Sequence, residues 1–183
     1  MDESSHEFDR HKNGHREASA ELEAAMTMDE NLNGLQAFDR LGEYLEANNW
    51  HPQRLPDKYV YRTVFRGTNG TFVCYAQIRT DAEQFVFYVL APVKVPESQH
   101  MLVGEYLTRA NYGMYIGNFE MDLSDGEVRY KSSFDFEDVE LSDELIRNAL
   151  WPAVRMMDKY LPGMFKCMYG GISPADAIEE IEG

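Results

Sequence analysis

Five histidines and two cysteines are the side chains of this sequence best suited to metal or nucleophilic chemistry. His6, His11 and His15 cluster near the N-terminus, and on a helix His11 and His15 would stand one turn apart and could share a metal ion. Their neighbours are polar and charged, so ordering costs oppose chelation, and they are read as scattered polar residues with no metal. Cys74 and Cys167 lie far apart, fit no C-x-x-C pattern and are expected as unpaired, buried thiols. His51 stands beside Pro52 in a loop and His100 in the first turns of a helix, and spacing gives neither a nucleophile or paired carboxylate to work with. Asp122-Leu123-Ser124-Asp125-Gly126 superficially matches a calcium loop. It lacks the alternating oxygen ligands and the flanking helices, and a hairpin turn explains it better. Phosphate-binding glycine loops, a G-x-S-x-G elbow and an H-E-x-x-H helix are all missing. No catalytic residue, metal ligand or cofactor is assigned, and the chain is read as a binding protein rather than an enzyme.

Charge points the same way. The formal net charge of −15, with a pI near 4.6, disfavours nucleic acid and anionic membrane surfaces, and no Lys/Arg patch is expected. Between Glu120 and Glu144 ten acidic residues face two basic ones, either a solvated sheet face or a docking surface for a basic partner. The ten methionines, among them Met156, Met157, Met164 and Met168, fall mostly at helical spacing and are read as core fillers rather than an adaptable binding surface. Met1 to Ala18 has no apolar leader region, and no stretch approaches the roughly 18 apolar residues of a membrane span, so a cytoplasmic location is expected.

Residues 1–32 hold nine Asp or Glu against three Lys or Arg and few large apolar side chains. They are read as a flexible acidic tail, transiently helical over Arg16–Met26, ahead of one domain over residues 33–183. In that domain Leu35, Phe38, Leu41 and Leu45 recur at helical spacing, and Asn48-Asn49 with His51-Pro52 close the helix. Strands are expected over Tyr59–Arg66, Thr71–Arg79 and Gln84–Val93, the first two joined by Thr68-Asn69-Gly70, where a nominal glycosylation sequon is better read as the turn. Pro96 opens a second helix with Leu102, Val103, Tyr106, Leu107 and Ala110 on its apolar face. Phe119, Met121 and Leu123 then alternate with polar residues. Their partner strand sets Val128, Tyr130, Phe134 and Phe136 opposite Glu127, Arg129, Lys131 and Asp135. Ser142 caps a third helix with core stripe Leu145, Ile146, Leu150, Val154, Met157 and Leu161, kinked or broken at Pro152 and ended by Pro162-Gly163. Ser173-Pro174 starts a short last helix, Ala175 to Ile181. The result is an α+β domain, an antiparallel sheet with helices packed on it, in the order α-β-β-β-α-β-β-α.

The first three strands differ from the later pair in being apolar on both faces. Phe85, Phe87 and Val89 point one way, Val86, Tyr88 and Leu90 the other, and Val73 and Tyr75, with Val60 and Val64, extend the second patch. One layer of helices cannot cover both faces, so a further helix or another molecule must cover the second. Val73, Tyr75, Val86, Tyr88 and Leu90 are the expected partner- or dimer-binding residues.

Leu107-Thr108-Arg109-Ala110-Asn111-Tyr112-Gly113, the strand pair split by Ser124-Asp125-Gly126, the Ser142-Asp143-Glu144-Leu145 helix start and Ser173-Pro174-Ala175-Asp176-Ala177-Ile178 resemble the YbjN family of bacterial sensory transduction regulators, from about Leu35 to the C-terminus. The resemblance implies a fold like that of type III secretion chaperones, small α+β domains that commonly dimerise and bind partner proteins. It transfers no catalytic or ligand residue. The leading expectation is a cytoplasmic, non-enzymatic regulator or chaperone-like module. It would be homodimeric and would bind a protein partner, steered by acidic residues toward a basic one, through the apolar surface of the first three strands. The alternative is a small-molecule sensor with an aromatic-lined pocket between the second helix and the sheet, and an enzyme ranks third.

Overall fold

A computed structural model describes residues 32–183 of the protein. The expected acidic tail, with its Arg16–Met26 helix and its three histidines, therefore lies outside the described residues except for Leu32, which begins the first helix. Helix α1 runs over residues 32–47 and buries Ala37, Phe38, Leu41, Tyr44 and Leu45 along one face. It closes in a turn at Asn48 and Asn49, after which His51, ahead of Pro52, takes a left-handed backbone conformation. Strands β1 (Gln53–Arg54), β2 (Val60–Arg66), β3 (Thr71–Arg79) and β4 (Gln84–Leu90) follow, then α2 (His100–Asn111), β5 (Asn118–Met121), β6 (Val128–Asp135), α3 (Asp143–Gly170) and α4 (Pro174–Glu182). The expected α+β order holds, with a two-residue edge strand β1 added that two residues of sequence could not signal.

All pairings are antiparallel, and the sheet order is β1-β2-β3-β4-β6-β5. Alternation sends Phe72, Cys74, Ala76 and Ile78 of β3, and Phe85, Phe87 and Val89 of β4, to the helical side, where each is essentially fully buried. Trp50, Phe65, Phe87 and Trp151 pack ring to ring between α1, the sheet and α3. Met157, Met164 and Met168 are buried in the same core, as their helical spacing suggests.

Helix α3 departs from expectation. Ser142 caps it, its hydroxyl accepting from the Leu145 amide at 3.3 Å, but the helix runs unbroken through Pro152 and Pro162 to Gly170. Gly171, at φ 67, supplies the left-handed cap. A proline cannot donate to the carbonyl four residues earlier, and at Pro162 that carbonyl belongs to Asp158. The Asn69 side-chain amide donates to it at 2.9 Å, while the Asp158 carboxylate accepts from the Thr68 and Asn69 amides at 2.9 and 2.7 Å. The tip of the β2–β3 hairpin thus fills the gap that proline leaves. Two side chains assigned to apolar faces are also misplaced: Leu123 lies in the β5–β6 turn at 65% exposure, and Leu145 sits on the solvent side of α3 at 37%.

Both sheet edges are partly covered against further strands. The side-chain amide of Asn111, at the end of α2, accepts from the Phe119 amide (2.7 Å) and donates to its carbonyl (3.0 Å), occupying the outer edge of β5 as a neighbouring strand would. At the other edge β1 is two residues long, with Pro52 and Pro56 on either side.

Candidate functional site

The second apolar face lies on the side of the sheet away from the helices. Cross-strand register pairs Val64 with Val73, Tyr75 with Tyr88 and Gln77 with Val86, and sets Leu90 opposite Arg129 and Tyr88 opposite Lys131. Val73, Tyr75, Val86, Tyr88 and Leu90 therefore form one stripe, each half-buried against its neighbours, and Val64 extends it at 47% exposure. None of the described helices covers this stripe: α1, α2, α3 and α4 bury their apolar faces on the opposite side. A shallow depression of about 560 Å³ opens on the stripe between Gln77, Val86, Tyr88, Lys131 and Ser133.

The charges around the stripe were not anticipated. Arg62 and Arg66 of β2, Arg79 of β3, and Arg129 and Lys131 of β6 all share its side of the sheet, so a Lys/Arg patch does exist in space although none is contiguous in sequence. The signal that could have found it is parity within each strand: Arg62, Arg66 and Arg79 stand an even number of residues from Val64 or Tyr75 on the open face, and Arg129 and Lys131 an odd number from the buried Tyr130. Glu120 on β5 holds two of these cations, binding the Arg129 guanidinium at 2.9 Å through one oxygen and the Lys131 ammonium through the other. Partial burial alone would raise the Glu120 pKa, but hydrogen bonds from Lys131 and Arg129 outweigh it and hold the carboxyl below its ordinary value. Arg129 also lies over the Tyr88 ring, 4.3 Å from its centroid. Arg79 donates to Gln84 at 2.7 Å and Gln84 in turn to Asp135 at 3.1 Å.

The acidic residues of the Glu120–Glu144 run do not form one surface. Asp122 and Asp125 shape the β5–β6 turn, where Asp122 accepts from the Ser124 amide and hydroxyl and Gly126 adopts φ 76. Glu137, Asp138 and Glu140 instead meet Asp81 and Glu83 around a cleft of about 810 Å³ beyond the β3–β4 turn. Glu83 is buried there at φ 45, its carboxylate accepting from the Asn33 side chain (2.7 Å) and the Asp138 amide (3.1 Å), so it anchors the start of α1 and the loop after β6.

No reactive constellation accompanies these surfaces. Burial pushes the Cys74 thiol up to about 12, and Cys167 is likewise buried and raised, so neither is poised as a thiolate. His100 bonds the Val95 carbonyl (3.0 Å) and His51 is exposed. Among the described residues no three His, Cys, Asp or Glu side chains converge as metal ligands would. No described helix is long and apolar enough to cross a membrane. The space between α2 and the sheet, where the alternative reading sought a pocket, is packed: Phe119 meets Tyr130 and Tyr160 at 4.9 and 5.7 Å between centroids, and the Tyr106 hydroxyl donates to the Tyr160 carbonyl at 2.7 Å.

Comparison with known proteins agrees with this architecture. No curated protein matches the chain. Among solved structures it is similar to that titled "Crystal structure of YbjN, a putative transcription regulator from E. coli", with a TM-score of 0.53 and 11% identity over 66% of this chain and 85% of that one. A chain of the HopA1–SchA chaperone–effector complex aligns with a TM-score of 0.50 and 14% identity over 70% of this chain and 95% of its own length. At these identities the likeness is one of fold, and it is the chaperone-like fold that the resemblance implied. The family model for YbjN, described as "Putative bacterial sensory transduction regulator", matches residues 37–166, from α1 into the last third of α3. That span is most of the folded domain, and the chain belongs to the YbjN family.

Proposed function

We propose that this protein is a non-enzymatic, cytoplasmic regulator or chaperone-like module that binds a protein partner on the open face of its sheet, through Val73, Tyr75, Val86, Tyr88 and Leu90. The observation that carries the reading is the apolar stripe across β2, β3 and β4, which no described helix covers. Apolar surface concentrated in one place on a chain this highly charged marks an interaction site. The partly covered edges favour a face over an added strand as the mode of contact, since Asn111 and the short, proline-flanked β1 reduce the free backbone left to pair. The family's description as a regulator, and the similar fold in a chaperone–effector complex, favour protein binding over catalysis. The packed rings between α2 and the sheet weigh against the small-molecule alternative.

The test compares wild type with Tyr88→Glu and Leu90→Asp in native-lysate capture with mass-spectrometric identification, alongside sedimentation for self-association. Specific partners, or the dimer, should be lost from both variants while the thermal melt stays near that of wild type. Unchanged capture and unchanged sedimentation in both would place the binding surface elsewhere.

A further inference from the structure

The open face carries a sign of charge opposite to that of the chain. The protein has 32 Asp and Glu against 17 Lys and Arg, yet the strands of this face carry five cations against Glu120 and Asp135, with Asp122 and Glu127 following at the β5–β6 turn. Glu120 already holds Arg129 and Lys131, whereas Arg62, Arg66 and Arg79 reach no carboxylate in ion-pair range among the described residues. The cations are placed on both sides of the apolar stripe: Arg62 and Arg66 along β2, Arg129 and Lys131 along β6.

Resting on the partner-binding reading above, we infer that the occupant of this face is an acidic protein segment, its apolar side chains on the stripe and its carboxylates against the flanking cations. Complementary charge of this kind selects partners and sets their register more than it adds affinity. A second copy stacked face to face would set cations against cations. A basic partner, although drawn by the total charge of −15, would meet its own sign at the site itself. A single-stranded nucleic acid shares the required charge but needs open rings on which to stack its bases. Of the two tyrosines here, Tyr88 already carries the Arg129 guanidinium, and the valines and Leu90 give a base nothing to stack on. The overall negative charge also repels a polymer with a phosphate at every nucleotide.

Fluorescence polarisation on the full chain decides the matter with three labelled probes. The first is a peptide of about ten residues, the length of one strand crossing, in which Glu alternates with Leu, Val and Tyr. The second has Lys in place of Glu, and the third is an oligouridylate. The Glu peptide should bind at least about tenfold more tightly than the Lys peptide and weaken as salt rises. Arg62→Glu combined with Arg66→Glu should weaken it about tenfold with an unchanged melt, and Arg79→Glu provides an independent second variant. Preferential binding of the Lys peptide, abolished by Tyr88→Glu, would overturn the acidic assignment while leaving the face as the binding site. Oligouridylate binding that competes with the peptide would assign the face to nucleic acid instead. Binding of the Glu peptide that appears only after Glu17, Glu21 and Glu23 are changed to Gln would make the chain's own N-terminal segment the occupant. Absence of binding by either peptide, together with unaltered partner capture by Tyr88→Glu, would remove both the inference and the reading on which it rests.

Discussion

Phe87 and Tyr88 are adjacent in sequence and point to opposite sides of the sheet, so one substitution made at each separates core from open surface. Phe87 is fully buried and meets Trp50 edge to face at 6.1 Å. Phe87→Glu removes a buried ring, which alone costs about 3–5 kcal/mol, and leaves a carboxylate with no partner in an apolar layer, which adds several more. The sum is comparable with the whole stability of a domain, about 5–15 kcal/mol, and Phe87→Glu should not fold. Tyr88 is half-buried and faces Lys131 across the β4–β6 pairing. Tyr88→Glu loses the contact with Arg129, about 0.5–1 kcal/mol, and some packing on Tyr75. It gains a carboxylate opposite a lysine, which returns roughly 0.2–1 kcal/mol. The net change should stay within about 1 kcal/mol, or about 2–4 °C in Tm for a domain of this size. Urea unfolding followed by circular dichroism reads both variants on one scale. If Tyr88→Glu loses its cooperative transition as Phe87→Glu does, the stripe is core, and the assignment of an uncovered face fails.

Three further outcomes follow from contacts away from the stripe. Glu83→Ala should destabilise the domain by about 1–3 kcal/mol and speed hydrogen exchange at the Asp138 amide, since one carboxylate holds both that amide and Asn33; unaltered exchange would show that the loop is held by other means. The Glu120 carboxyl is depressed from its ordinary 4.5, so its ion pairs contribute stability that is fully present above that value and lost as pH falls through the lower folded-state pKa. Glu120→Gln should therefore flatten the acid limb of Tm against pH, and a limb identical to that of wild type would show that the pairs are not coupled to folding. Asn111→Ala uncovers the amide and carbonyl of Phe119, and should cost about 1–2 kcal/mol while raising light scattering at high concentration; if neither changes, the amide does not protect the edge.

The faces of β3 and β4 were legible because period-two alternation is a local property, and Phe85 and Tyr88 sort correctly from their neighbours alone. The caps at Ser142 and Ser173, and the turns at Asn69 and Gly126, were legible for the same reason. What local reasoning missed depends on partners distant in the chain. Proline was expected to end α3 at Pro162; the helix continues there, and the carbonyl that the proline leaves without a donor is bonded by a side chain from another element. The basic flanks were hidden because acidic and basic residues were counted along the chain, where Glu120 to Glu144 reads as acidic, rather than by strand face, where Arg129 and Lys131 join Arg62, Arg66 and Arg79. Leu145 shows the converse limit: it continues a hydrophobic run, yet it sits one position away from Ile146, which takes the buried place.

The bond from Asn69 to the Asp158 carbonyl spans 89 residues, and it ties the order of assembly to the order of synthesis. When the second half of α3 leaves the ribosome, the hairpin that completes it has already been made and can be waiting in place. A chain permuted so that α3 came first, or a fragment beginning after β4, would reach Pro162 with no such donor available. The Asp158 carbonyl would then stay without its side-chain donor, and the turns of α3 on which α4 packs would be held less firmly. A nick at the exposed tip near Thr68 would act on the same dependency from the other side, loosening the C-terminal helices while cutting neither of them.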